Sequence, residues 1–284
     1  MKTEQAKQLT DQAIEQLAAA LKQGRSETLT RYLATMAKFH RYSFTNIMLI
    51  FIQRPTATHV AGFHTWLKFS RYVRKGEKGI GIFAPMRFKA RAEDERNSSP
   101  ARDDEQSPET VLRFRIVHVF DIEQTDGEPL PEPARVDGDP GESLTRLREF
   151  AASRGVEVVY AETLFGADGC ARAGRIILRK DMQAGEEFAV LVHELAHTML
   201  HCGEQVQRGA KTVRETEAEA IAFVVSQAIG LQTSTACSDY IQTYNGDTKT
   251  LMQSLERIQR TSADILAALL ATEPIAADGE EVVR

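Results

Sequence analysis

The stretch FAVLVHELAHTMLH, Phe188 to His201, decides how the rest of the chain is read. On its own the stretch also fits a buried helix with incidental histidines. Residues four apart on an α-helix stand only about 40° from each other around the axis, so His193 and His197 offer two imidazoles to one point. Glu194 is the neighbour able to take a proton from a water at that point. HELAH therefore reads as the HExxH of a zinc hydrolase, with His193 and His197 as zinc ligands and Glu194 as the catalytic base.

A catalytic zinc usually takes three protein ligands. His201 is a poor third, because it lies one more turn along the same helix and three ligands in a row cannot surround a tetrahedral ion. The better source is RETEAEAIAFVVSQAIGL, Arg214 to Leu231, whose period is helical and whose end is marked by Gly230. Glu215 and Glu219 share a face there and Glu217 points away. The small Ala218 and Ala222 near that face let a second helix come close to the first. Glu215 is the expected ligand, with Glu219 behind an imidazole or in the exchanged role.

Around this centre the chain has the profile of an ordinary globular protein: 284 residues, net charge −5, 26% charged and 42% hydrophobic. That length suits two domains. No apolar run is long enough to span a membrane and Met1-Lys2 leads into a polar helix, so a cytoplasmic protein with no membrane partner is expected. Cys170, Cys202 and Cys237 are odd in number and widely spaced, and suggest neither a disulfide framework nor a second zinc site.

The N-terminal part opens with amphipathic helices over 3–22 and 28–39, followed by a largely buried helix capped by Ser43 or Thr45 and stopped by Pro55. Its Asn46 needs a partner, either a loop or a ligand. From Lys68 to Arg91 eight basic residues stand against a single acid, Glu77, in a chain that is acidic as a whole. Aromatic residues are interleaved with them. Cations and aromatic faces are what a groove for single-stranded nucleic acid requires, and Trp66, Lys68, Arg71, Tyr72, Arg74, Lys75 and Lys78 are its candidate residues. A solvated basic hairpin with an aromatic core explains the composition equally well.

Strands are predicted over 80–88 and 111–120, joined by a mobile loop at 91–110, which is rich in Ser, Pro and charge. The acidic, proline-rich stretch that follows marks the boundary between a first domain, 1–125, and a second, 143–284, with 126–142 as linker. The second domain begins with a helix over 143–153 and strands at 156–160 and 175–179. The latter strand is a candidate edge for pairing an extended peptide. A closing helix over 250–271 and an acidic tail over 273–284 complete the chain.

Four segments in this order, YSFTNIMLI, RPTATHVAGFHTWLKFSRYVRKGEKGIGIFAP, HELAH and RETEAEAIAFVV, resemble the ArdC-type antirestriction proteins of conjugative plasmids and phages. The resemblance implies an N-terminal domain that binds single-stranded DNA, a C-terminal zincin-like metallopeptidase domain, and protection of incoming DNA from host restriction. The C-terminal half also resembles regulatory peptidases that cleave repressors, in which a ligating Glu is followed by Ala three residues on and a polar residue at four. Glu215, Ala218 and Glu219 match that spacing, although Glu219 stands where those peptidases carry Asn or Asp.

The expectation is thus an α+β protein of two domains that binds single-stranded DNA and holds zinc. Its further partner is a protein substrate or restriction component. The other readings are a regulatory peptidase and a DNA-coating protein with structural zinc. Tyr240 and Tyr244 are the nearest hydroxyls downstream that could stabilise an oxyanion.

Overall fold

A computed structural model of the chain describes residues 1–23, 25–89, 110–130, 138–164, 166–172, 174–201, 211–232 and 248–270. The expected loop at 91–110 lies outside them except for Thr110, which opens a strand, and so do Cys202, Cys237, Tyr240, Tyr244 and the acidic tail. The fold is α+β.

The amphipathic segments at the start form α1 (Thr3–Lys22) and α2 (Glu27–Lys38), each with its apolar stripe buried. α3 (Phe44–Gln53) begins at Ser43, whose hydroxyl accepts the Asn46 backbone N–H. β1 (Val60–Gly62) leads into the short α4 (Phe63–Lys68) and β2 (Arg71–Val73). β3 (Ile80–Lys89) pairs antiparallel with β4 (Thr110–Asp121) from Ile80 opposite Val119 to Lys89 opposite Thr110, and β1 joins on the other side of β4. A 3₁₀ turn at Ile122–Gln124 precedes β5 (Thr125–Gly127), which pairs with β2.

β3 is the edge of its sheet, and α3 covers it. The Asn46 side chain donates to the Phe83 carbonyl at 2.9 Å and accepts its N–H at 2.8 Å. Gln53, two turns on, does the same at Gly81 at 2.9 and 3.0 Å. Two amides thus stand in for a missing strand and satisfy an edge that would otherwise be open to pairing. Asn46 has a structural partner.

The C-terminal part holds α5 (Glu142–Ser153), β6 (Glu157–Ala161), β7 (Gly169–Arg172), β8 (Arg175–Arg179), α6 (Ala184–His201), α7 (Lys211–Ala228) and α8 (Thr248–Leu269). The strand order is β6-β8-β7, with β6 parallel and β7 antiparallel to β8. The strand at 175–179 is therefore central and its short neighbour β7 takes the edge, because antiparallel pairing with a four-residue strand covers the side expected to be free. α7 packs between α6 and α8, and α2 also packs on α7. The buried apolar side chains form one continuous cluster from Ala6 to Leu269.

Candidate metal centre and surrounding surfaces

α6 is held at its start by Glu187, whose carboxylate accepts from Arg148 of α5 and from the Tyr160 hydroxyl of β6, both at 2.6 Å. Acidic residues in a first turn also suit the positive end of the helix dipole. Phe188, Leu191, Val192, Leu195 and Ala196 are fully buried. That fixes the roll of the helix, so the two histidines rise together from the rim of the buried face towards α7.

Ala218 is fully buried and Ala222 nearly so on α7, and Glu215 reaches across. The Nε2 atoms of His193 and His197 stand 3.1 Å apart, and the Glu215 Oε2 lies 3.6 Å from the first and 3.3 Å from the second. Ligands about 2.0–2.1 Å from a tetrahedral zinc are about 3.3 Å from one another, so the triangle has the size such an ion imposes. Among the described residues this is the group of His, Cys, Asp and Glu side chains close enough to hold a metal. Glu219, one turn on along α7, lines a cavity of about 340 Å³ that opens beside His193 and Glu194. Ala189, Val190 and Phe223 supply apolar walls.

Burial and the neighbouring His197 push His193 down to about 4, against the pull of Glu215. At neutral pH it is uncharged and ready to ligate. Glu194 is pushed up to about 7, chiefly by burial and also by the Glu215 charge, while a hydrogen bond from the Ala171 backbone N–H opposes the rise. A carboxyl that titrates near neutrality suits a group that must accept a proton and later return it.

Glu217 points away from this face, as its helical position requires. It is almost fully buried, accepting the Ser254 hydroxyl at 2.6 Å and the Arg257 Nε at 3.1 Å, with a second bond from Arg257 Nη2. No local pattern in the sequence signals this clasp between α7 and α8, because its partners stand 37 and 40 residues away.

The structure divides the seven basic and aromatic candidates of the N-terminal part. Trp66 is buried and donates its indole N–H to the Phe120 carbonyl at 2.8 Å, so neither ring face is open to a base. Arg71 is buried too. Its guanidinium donates to the Thr125 hydroxyl at 2.8 Å and to the carbonyls of Thr125, Gly127 and Glu128, tying β2 to β5. These two expectations are corrected: α4 turns Trp66 inward, and backbone oxygens take the donors that a phosphate would need. Arg74 is exposed but paired with Glu77 at 3.0 Å and Asp126 at 3.4 Å. Lys68, Tyr72, Lys75 and Lys78 lie on the surface. Phe63, Leu67 and Phe69 are exposed beside them, an apolar ledge on the outer side of α4.

Residues 3–120 match the family model of the N-terminal domain of anti-restriction factor ArdC. The metal-free crystal structure of the antirestriction protein ArdC from plasmid R388 superposes with a TM-score of 0.55, at 15% identity, over 93% of this chain and 99% of that one. Residues 3–120 are thus similar to the ArdC N-terminal domain, and the chain as a whole shares the fold of the R388 protein. The Mn(II)-bound structure of the R388 protein aligns at a TM-score of 0.48 and 16% identity, over 87% of this chain and 98% of that one. An uncharacterized protein of Bacillus anthracis, pXO2-81, is 26% identical over 278 residues, covering 81% of this chain. The chain spans 46% of the length of that relative. No helix among the described residues is long and apolar enough to cross a membrane.

Proposed function

We propose that the chain is an antirestriction protein that handles single-stranded DNA through its N-terminal part and carries a zinc peptidase-like centre in its C-terminal part. The observation that carries the second half is the triangle of His193, His197 and Glu215, with sides of 3.1 to 3.6 Å. Two imidazoles and a carboxylate are a donor set that suits zinc and leaves a fourth position free. A zinc ion there would polarise a peptide carbonyl and acidify a water. The chain's own contribution is Glu194, whose buried carboxylate accepts the proton of the attacking water and delivers it to the leaving amine.

On the N-terminal side, Tyr72 and Phe69 offer ring faces for stacking, and Lys68, Lys75 and Lys78 offer charge to phosphates. The apolar cavity beside Glu194 favours a second reading, in which the centre cleaves a repressor or restriction subunit: its walls suit a side chain of an extended polypeptide rather than a sugar or phosphate.

The test is metal content. The purified chain should hold about one zinc, and His193→Ala or Glu215→Ala should empty the site. Glu194→Ala should leave it filled, and Glu219→Ala should weaken it by no more than about 10–100-fold. Full zinc retention in the His193→Ala and Glu215→Ala variants would refute the assignment. Protection of incoming DNA by the folded, zinc-loaded Glu194→Ala variant separates DNA handling from proteolysis.

A further inference from the structure

The Glu194 side chain is buried where the cavity meets β7, an edge strand of its sheet. Gly169 opens that strand with an ordinary backbone conformation, since it is absent from the positive-φ glycines, so torsion alone does not demand a glycine there. Space does. A Cβ at position 169 would stand 2.8 Å from both Cγ and Oε1 of Glu194 and 2.7 Å from Cγ1 of Val190. Two residues along the strand, Ala171 donates its backbone N–H to the Glu194 carboxylate.

We propose that β7 is the positioning strand of Glu194, with the missing side chain at Gly169 making the slot in which the carboxylate lies and the Ala171 N–H holding its end. This rests on Glu194 being the general base of the site. Gly169 is a positioning residue, because it acts only through Glu194. If a methyl group is added at 169, one of the two neighbours must yield. Val190 is β-branched, and its colliding methyl sits directly on Cβ in a helix, where one rotamer dominates. Glu194 is unbranched, so rotation about its side-chain bonds can carry both the Cγ and the Oε1 out of contact, and the carboxylate is the group that moves. Gly169→Ala should therefore pull Glu194 away from the Ala171 N–H while leaving the histidines and Glu215 in place.

The experiment reads the Ala171 amide resonance in the metal-free, full-length chain labelled with ¹⁵N-alanine. Glu194→Ala calibrates it: the amide proton loses a carboxylate acceptor and moves upfield. Gly169→Ala is expected to move it in the same direction by a comparable amount, with zinc content after reloading at the wild-type level. A Val190→Ala background removes the 2.7 Å contact but leaves those with Glu194, so the displaced resonance should persist in the double variant. An unmoved Ala171 amide in folded Gly169→Ala would overturn the proposal. So would recovery in the Val190→Ala background, or loss of zinc, because either makes Gly169 a packing residue of α6 at large. If Gly169→Ala alone fails to fold, the double variant carries the test, and failure of both also counts against it. The amide signal does not require turnover, so a chain that hydrolyses no peptide still gives a legible result.

Discussion

Replacing Glu194 with glutamine should stabilise the metal-free protein at alkaline pH. The folded chain holds this carboxyl at about 7 against an ordinary 4.5, mainly because burial penalises its charge, with Glu215 adding to the rise and the Ala171 N–H opposing it. Unfolding returns the group to water. Between pH 4.5 and 7 the folded state therefore binds more protons than the unfolded state at this position, and the contribution to stability is complete below 4.5 and lost as pH rises through 7. At about 1.36 kcal/mol for each tenfold change in proton affinity, the loss above both values is about 3 kcal/mol. Glutamine keeps an oxygen for the Ala171 N–H and never ionises.

Urea unfolding with a chelator present, at pH 4.5 and pH 8, measures the difference. The two proteins should be similarly stable at the lower pH, and the variant should be about 3 kcal/mol more stable at the higher one. His193 contributes an opposite slope in both. Its folded value, lowered to about 4 first by burial and then by His197, costs stability as pH falls from 6.5. Comparing the two proteins at each pH removes most of that contribution. Parallel stability curves for wild type and Glu194→Gln would refute the burial argument for Glu194.

Other perturbations follow from the same structure. Arg257→Ala removes the guanidinium from the buried Glu217 carboxylate and should cost about 3 kcal/mol in urea unfolding, as expected when a buried carboxylate loses its cation. Trp66→Phe loses the bond to the Phe120 carbonyl and should destabilise the chain by about 1–3 kcal/mol, lowering DNA affinity only as far as it unfolds the protein. Tyr72→Ala, at an exposed position, should change stability by less than about 0.5 kcal/mol, yet weaken single-strand binding by about 1–3 kcal/mol in a salt-controlled titration. Asn46→Ala strips two hydrogen bonds from the edge of β3 and should speed hydrogen exchange at the Phe83 amide.

What was legible in the sequence was mostly what short range decides. The roll of α6 follows from Phe188, Leu191, Val192 and Leu195, and the pairing of His193 with His197 follows from that roll. Glu215 was within reach because its helix period and the small Ala218 and Ala222 put it on a face able to come close. β7 escaped because the four residues Gly169-Cys170-Ala171-Arg172 show no alternation, and their strand character comes from β8. Trp66 escaped for a related reason: Phe63, Trp66, Leu67 and Phe69 look alike as composition, and only the packing of α4 on β4 turns one in and leaves three out. Arg71 looks like a phosphate ligand in the sequence because its oxygen partners stand more than fifty residues away, beyond any local pattern.

The position of Glu215 is then a consequence of what happens on the other side of its own helix. Residues two apart on an α-helix point in nearly opposite directions, so Glu215 can face α6 only while Glu217 faces α8. A buried carboxylate bound by Ser254 and Arg257 tolerates little rotation, because any turn that exposes or unpairs it costs several kcal/mol, on the order of a whole domain's margin. The clasp therefore fixes the register of α7 against α8, and α2 packs on α7 as well. Three glutamates carry the arrangement: Glu187 orients α6 through Arg148 and Tyr160, Glu217 orients α7 through Ser254 and Arg257, and Glu215 stands where the two oriented helices meet.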